Sequence, residues 1–253
     1  MRYLSFLRKV HRLLAPERYL EIGIRSGTSL ALARCKAVGI DPSFAIKAEI
    51  NCDVALFRTT TDEYFARDQP LGPTGGKPFD LVFIDGLHLV EFALRDFIYA
   101  ERYSSARSLI ILDDVLPRTV DEAARVRHTA AWTGDVYRIT AVLAKYRPEL
   151  TVIPVSTTPT GLLLVMGLDP QNTVLADNYD AILAEFRSVD PQPVPADLLD
   201  RWGVAVPRRV LEADFWSVLS TAPIESSPQD VRPKLAQRVS TSLGSAFAAV
   251  PAA

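Results

Sequence analysis

The sequence predicts a doubly wound, Rossmann-like α/β fold: a mostly parallel seven-stranded sheet with an antiparallel C-terminal hairpin and helices on both faces. Three observations carry this expectation. Strand-like apolar runs alternate with helix-patterned segments from residue 18 to about 168, the pattern that right-handed βαβ crossovers impose. The runs LVFI (81–84) and LIIL (109–112) are continuously apolar, as strands covered on both faces are. Two further runs, LTVIPVS (150–156) and GLLLVMGL (161–168), are separated only by TTPT, which suits a closing hairpin at one edge.

Taken in order, Tyr3, Leu7, Val10 and Leu14 recur at helical spacing, so residues 2–14 read as an amphipathic helix that Pro16 stops. RYLEIG (18–23) reads as strand, GTSLALARC (27–35) as helix, KAVGID (36–41) and DVALFRT (53–59) as strands, and TTDEYFA (60–66) as helix. FDLVFID (79–85), LHLVEFALRDFIYAERY (87–103) and SLIILDD (108–114) continue as strand, helix and strand, and VYRITAVLAKY (136–146) as helix. Beyond about residue 170 the pattern loosens into DNYDAILAEFRSV, a Pro-rich DPQPVP and short helical pieces carrying Trp202 and Trp216. The expected organisation is a ligand-binding domain over 1–170, a helical appendage over 171–220 and a flexible Ser-, Ala- and Pro-rich tail over 221–253.

Composition narrows the partners. With 253 residues, 48% hydrophobic and 23% charged, and a formal charge of −2, there is no electrostatic case for nucleic acid or an anionic membrane. Small molecules or proteins, a further copy of this chain among them, are the expected partners. No run approaches the roughly 20 apolar residues of a membrane span. Arg2, Arg8, Lys9, His11 and Arg12 break up any leader-like apolar core, so a cytoplasmic address is expected. Cys35 and Cys52 lack a CxxC spacing and read as apolar thiols rather than as a disulfide or zinc site.

In an open α/β sheet, ligands bind outside the carboxyl ends of the strands, near the point where strand order reverses. Here each predicted strand ends on an acid: Glu21, Asp41, the Thr60–Asp62 corner, Asp85, and Asp113 with Asp114. Single strand-end acids are ordinary caps and turns, whereas five on one rim imply a shared ligand. Gly23 and Gly27 sit in the first corner, EIGIRSGTSL, at a spacing that fails the dinucleotide fingerprint G-x-G-x-x-G. An acid two residues before the first glycine opposes phosphate and suits a ligand with an amino or sulfonium charge. Asp41 is placed to accept from two ribose hydroxyls, with an Asp-Pro turn as the alternative. TTTDEYF is a capping box opening a helix, or the place where Asp62 reaches an adenine amino group.

YLEIGIRSGTSL, GIDP, TTTDEYF, FDLVFIDGLHLVEFALRD, LIILDDVLP and WTGDVYR together resemble the class I S-adenosylmethionine-dependent methyltransferases, in particular methyltransferase family 24, over residues 18 to about 168. Metal-dependent sugar and small-molecule O-methyltransferases belong to that branch. The resemblance implies that Glu21, Gly23, Ser26 and Gly27 line the methionine end of S-adenosylmethionine, Asp41 its ribose, and Thr61 with Asp62 its adenine, Asp85 lying beside the cofactor. It further implies that Asp85, Asp113 and Asp114 hold a divalent metal, Mg2+ being the expected ion because all-oxygen ligation suits a hard cation. His88, three residues past Asp85, is then the candidate general base, its ordinary pKa near 6.5 suiting that task. A metal ligand or a backbone-bonded histidine at the helix start remain alternatives. The acceptor is expected to be a small-molecule hydroxyl, such as that of a sugar or natural-product glycoside, with Trp132, Asp135 and Tyr137 shaping its site. Two rivals stand beside this: a non-catalytic cofactor-binding or scaffold protein, and an oxygenase-like relative using iron. His11 and His128 lack acidic company, and Glu91 reads as an exposed helical acid.

Overall fold

The structure is a computed structural model, and it describes residues 1–249. The chain runs α1 (Tyr3–Leu14), β1 (Arg18–Ile22), β2 (Lys36–Ile40), β3 (Val54–Phe57), α2 (Thr61–Phe65), β4 (Phe79–Ile84), α3 (Val90–Arg102) and β5 (Ser104–Asp113). It continues through α4 (Ile139–Tyr146), β6 (Thr151–Val155) and β7 (Leu162–Met166). The seven strands form one sheet in the order β3-β2-β1-β4-β5-β7-β6. β7 alone runs antiparallel to its neighbours β5 and β6, so the expected fold class is the one observed. Strand order reverses between β1 and β4, both of which are buried along their whole length.

One predicted helix is absent. GTSLALARC forms only a 3-10 turn at Leu30–Leu32. The connection must cover a five-residue strand, about 17 Å at the rise of extended chain, and residues 23–28 are already spent on the corner. Too little chain is left for a helix, and Thr28 and Ser29 do not favour one. The β2–β3 connection is likewise without a helix.

The face these connections leave bare is covered from elsewhere. Phe6, Leu7, Val10 and Leu14 of α1 pack on Tyr19, Leu81, Phe83, Leu109, Ile111 and Leu164, together with residues of the C-terminal segment. That segment contributes α8 (Pro207–Leu211), α9 (Phe215–Thr221) and α10 (Pro228–Leu243), after α5 (Val174–Asp177), α6 (Tyr179–Phe186) and α7 (Ala196–Leu199). The opposite face joins Leu20, Ile22, Val82, Ile84, Ile110 and Leu112 to α2, α3, α4, Leu175 and Ile182. Residues 171–249 are therefore divided between both faces of one core rather than forming a separate appendage.

The expectation of a flexible tail over 221–253 is corrected for the described part. α10 opens with a capping box in which Ser227 and Asp230 satisfy each other's backbone donors, and it buries Val231, Leu235, Val239 and Leu243. Those positions recur every four residues, a stripe that the Ser- and Pro-rich composition conceals. Residues 250–253 of that expected tail lie outside the described residues. Pro154 is tolerated in β6 because β6 is an edge strand, and Ala205 covers that edge by donating to Pro154 O at 2.8 Å. Cys35 and Cys52 are free thiols. Among the described residues no helix is long and apolar enough to cross a membrane.

Leu235 is fully buried. Leu235→Ala is expected to cost about 2–5 kcal/mol, as large-to-small core substitutions do. A denaturant melt showing a loss below about 0.5 kcal/mol, the range of surface changes, would mean that α10 is only peripheral.

Candidate active site

The first corner is built by contact between strand ends. Gly23 has φ +87°, and a Cβ there would fall 1.9 Å from the Asp85 carbonyl oxygen. Only glycine lets the β1 and β4 corners meet this closely. Asp41 closes the same corner: its Oδ2 accepts from Ile24 N at 2.9 Å and Arg25 N at 2.7 Å, and its Oδ1 from Ser43 N at 2.6 Å. Three of its roughly four acceptor positions are thus taken by backbone. Gly27 (φ +77°) faces Ile46, and Ser26 O accepts from Lys47 N and Ala48 N, so the β2–β3 connection lies along the corner.

Glu21 is enclosed. Its two oxygens accept from Tyr19 Oη at 2.6 Å and Ser29 Oγ at 2.7 Å, and no part of it is exposed. Burial pushes its pKa up to about 8, the bonds from Tyr19 and Ser29 opposing and the charge of Asp85 adding to the rise. At the third strand end, Thr60 and Glu63 form the expected capping box at the start of α2. Asp62 is ion-paired to Arg95, whose guanidinium also donates to Tyr179 Oη at 3.3 Å.

The fourth and fifth strand ends come together around His88. Its Nε2 lies 3.3 Å from Asp85 Oδ1 and 3.1 Å from Asp114 Oδ2. Ligand atoms of Asp85, His88 and Asp114 all fall within 4.8 Å of one another, a spacing that could hold a metal ion. Asp114 reaches this position from a left-handed backbone, φ +61°, a costly conformation for a non-glycine residue and one found at sites the surroundings over-determine. The grouped atoms do not include Asp113, whose Oδ1 accepts from Asp114 N at 2.9 Å instead. Of the expected ligands Asp85, Asp113 and Asp114, the grouped atoms are those of Asp85 and Asp114, joined by His88.

His88 precedes α3 rather than lying in it. Its Nδ1 donates to Trp132 O at 2.7 Å, which leaves Nε2 for the carboxylates, and its ring stacks on Trp132 with centroids 5.0 Å apart. Burial opposes its charge, but the bond to Asp85 and the charges of Asp114 and Asp85 prevail and raise its pKa to about 9. Asp114 is raised to about 6, by burial first, with His88 opposing and Asp85 adding. Asp113 is held well above the usual carboxylate range by burial and by Asp114 and Asp85. A cavity of about 10 Å³ lies between Asp85, Gly86, His88 and Asp113, room for about one water-sized group.

Three residues escaped the sequence. Tyr3, which reads as an ordinary core position of α1, is carried toward the acids because Tyr3 N donates to Thr158 O at 3.1 Å. Burial and the charges of Asp113, Asp85 and Asp114 raise its hydroxyl pKa. Asp96 is buried on α3, and its Oδ2 lies 3.1 Å from where a Cβ on Gly86 would stand. Burial lifts its carboxyl to about 7, against the bond from the Thr61 side chain. Glu91 is not an exposed acid but 9% exposed and ion-paired to Arg125. The available signal was phase: Glu91 and Asp96 fall among the buried positions of α3 beside Val90, Ala93, Leu94 and Phe97. His128 lies at the surface, bonded through Nδ1 to Val126 O, and His11 packs edge-on against Tyr19.

Residues 20–115 match the family model of methyltransferase family 24, described as a methyltransferase domain. No curated protein matches the sequence. Among solved structures, cofactor-bound Rv0187 from MTB is 21% identical, with a TM-score of 0.50 over 68% of this chain and 82% of that one. The O-methyltransferase TomG from Streptomyces achromogenes, involved in tomaymycin synthesis and solved with SAM, is 25% identical, with a TM-score of 0.49 over 64% of this chain and 78% of that one. A candidate O-methyltransferase from Klebsiella pneumoniae is 22% identical, with a TM-score of 0.48 over the same shares.

The shifted groups set the pH dependence of stability. His88 (about 9), Glu21 (about 8) and Asp96 (about 7) all hold protons more tightly when folded than their ordinary values allow. The folded chain then binds more protons than the unfolded one above pH 6.5, so stability falls as pH rises. His11, lowered to about 4 by burial, acts only below its ordinary 6.5. The melting temperature of the metal-free protein is expected to drop steadily between pH 6.5 and 9, and Glu21→Gln to flatten the drop. A rise over that window would show that the cluster does not carry these charges.

Proposed function

We propose, from the match of residues 20–115 to a methyltransferase domain, that the chain is a class I, S-adenosylmethionine-dependent enzyme that transfers a methyl group to a hydroxyl of a small molecule, with a divalent cation assisting. A sugar or natural-product glycoside is the acceptor class the sequence favours. The observation that carries the reading is the meeting of Asp85, His88 and Asp114 at the ends of β4 and β5, beside the reversal of strand order.

The residues fit the two groups this chemistry needs. The carboxylates of Asp85 and Asp114, with an imidazole atom within 4.8 Å of them, offer oxygen donors for a divalent cation such as Mg2+ or Mn2+ and leave His88 Nε2 free to act as the base. Burial first, with the charge of Asp85 adding, raises the pKa values of Glu21, Asp113 and Asp114, and a cationic sulfonium beside these acids would favour their charged forms. When bound, S-adenosylmethionine supplies an electrophilic methyl group and the cation makes the acceptor hydroxyl more acidic.

The chain's own residues do the rest. Asp85 and Asp114 fix the position of the acceptor oxygen against the end of β1. Trp132 O, by accepting from Nδ1, aims Nε2 at that point, where it takes the hydroxyl proton. With its pKa near 9, His88 rests protonated beside two uncompensated carboxylates at neutral pH. It becomes a base when their charge is neutralised, so base and cation belong to one reading. The cluster holds one histidine and two carboxylates, the reverse of the two-histidine, one-carboxylate iron site of the oxygenases.

A second reading, a non-catalytic protein, is favoured by the first corner, where Glu21 is enclosed and Asp41 is tied to backbone. Calorimetry separates the two. Wild-type protein is expected to bind S-adenosylmethionine and to methylate a sugar or phenol in a screen only with Mg2+ or Mn2+ present. Asp114→Ala should remove the metal-dependent transfer while leaving cofactor affinity nearly unchanged. No binding at millimolar cofactor would exclude transfer, and equal loss of binding and transfer in Asp114→Ala would show that the acid serves the fold.

A further inference from the structure

His88 owes its orientation to a segment that the family match does not reach, residues 116–135. This loop folds onto itself: Thr133 N and Gly134 N donate to Glu122 O at 2.9 and 3.1 Å, and Trp132 Nε1 to Ala124 O at 2.6 Å. It then presses on His88 from behind. Gly134 has φ +54°, and a Cβ there would fall 1.6 Å from the His88 carbonyl oxygen. Trp132 supplies both the stacked ring and the carbonyl that takes the Nδ1 proton.

One side chain fastens the loop to α3. The Arg125 guanidinium donates to both oxygens of Glu91, at 3.0 Å to Oε2, and to Asp135 Oδ2. Asp135 is fully buried, and its other oxygen accepts from Val90 N at 2.8 Å, capping the start of α3 two residues after His88. A planar fork with five donors holds both oxygens of Glu91 and one of Asp135 in a fixed geometry, which the compact point charge of a lysine ammonium does not impose. Arg125 is itself held from the C-terminal segment: Asp190 accepts from Arg125 N at 2.9 Å and from Val126 N at 3.2 Å. Gln192, 2% exposed, donates to Asp190 at 3.0 Å and is gripped by Arg138.

We propose that Arg125 is a positioning residue for His88, and that Asp190 of the C-terminal segment locks Arg125 in place, so that residues beyond the matched span 20–115 set the aim of the imidazole. The chain of contacts runs from Asp190 through the backbone of Arg125 to Glu91 and Asp135, and from there to Trp132 and His88. Its catalytic consequence rests on the proton-accepting role given to His88 above; its structural consequence does not.

The test reads His88 directly. The sequence has three histidines, so the side-chain 15N–1H signals of metal-free, full-length protein can be assigned by replacing each in turn. Wild type is expected to show a downfield, slowly exchanging Nδ1 proton from His88. Arg125→Lys keeps the positive charge between Glu91 and Asp135 but loses the fork. It should fold, lose or broaden that signal, and lower kcat about 10- to 100-fold, the range seen when support behind a functional histidine is removed. The affinity for S-adenosylmethionine should stay unchanged. Asp190→Ala leaves the guanidinium and its partners intact and frees the loop backbone and one Gln192 donor, so it reports the same effect should Arg125→Lys fail to fold.

A His88 signal and a kcat unchanged in both variants would overturn the proposal, as would a wild type without the protected Nδ1 proton. A wild type that shows the signal but transfers no methyl group would instead remove the methyl-transfer reading, with the response of the signal to Arg125→Lys still deciding the positioning role.

Discussion

Repulsion among carboxylates at the ends of β4 and β5 is the constraint around which the rest is arranged. Asp85, Asp113 and Asp114 converge where a parallel sheet leaves its strand ends close together, Asp113 and Asp114 buried and Asp85 partly so. His88 Nε2 lies between Asp85 and Asp114, and burial with the charges of Asp114 and Asp85 holds Asp113 well above the usual carboxylate range. A protein holding such a cluster without a ligand sacrifices stability there, the reason its stability is expected to fall with rising pH.

Rigidity is supplied from both ends of the sheet. At the edge opposite the site, Asp80 of β4 accepts from Arg18 of β1 at 2.9 Å and from Arg107 of β5 at 3.0 Å, pinning three strands together. At the site edge, Gly23 against the Asp85 carbonyl sets how close the corners come. Between them the strands are buried on both faces, so the positions of their last residues are determined to within the tolerance of core packing. A site built on strand ends inherits that precision, which loops alone would not give.

The connections after β1 and β2 lack helices, and the N- and C-terminal segments take over the space. That exchange gives the terminal regions a share in the site. Tyr3 comes with α1, and Asp190 and Gln192 come with the segment after β7. Loop 116–135, the least regular stretch of the domain, is held by ion pairs buried enough to resist screening by salt.

The mostly parallel sheet with its closing hairpin, the approximate place of each strand and the acids at the strand ends were legible in the sequence, because burial on both faces writes a strand as an unbroken apolar run that ends near the first polar residue. Asp85, His88 and Asp114 were legible for the same reason. Which acid joins His88 was not: the turn at Asp114 depends on the chain that follows it, where Leu116 N donates to Thr160 O, a contact spanning the β5–β7 pairing. The helical face of α10 was hidden by its composition, and Glu91 and Asp96 by the assumption that acids on a helix face water. Arg125, Asp135 and Asp190 were beyond reach. Their meaning comes from a meeting of segments far apart in the chain, and hydrophobic periodicity carries no information about which charged side chains will find each other once the core has closed.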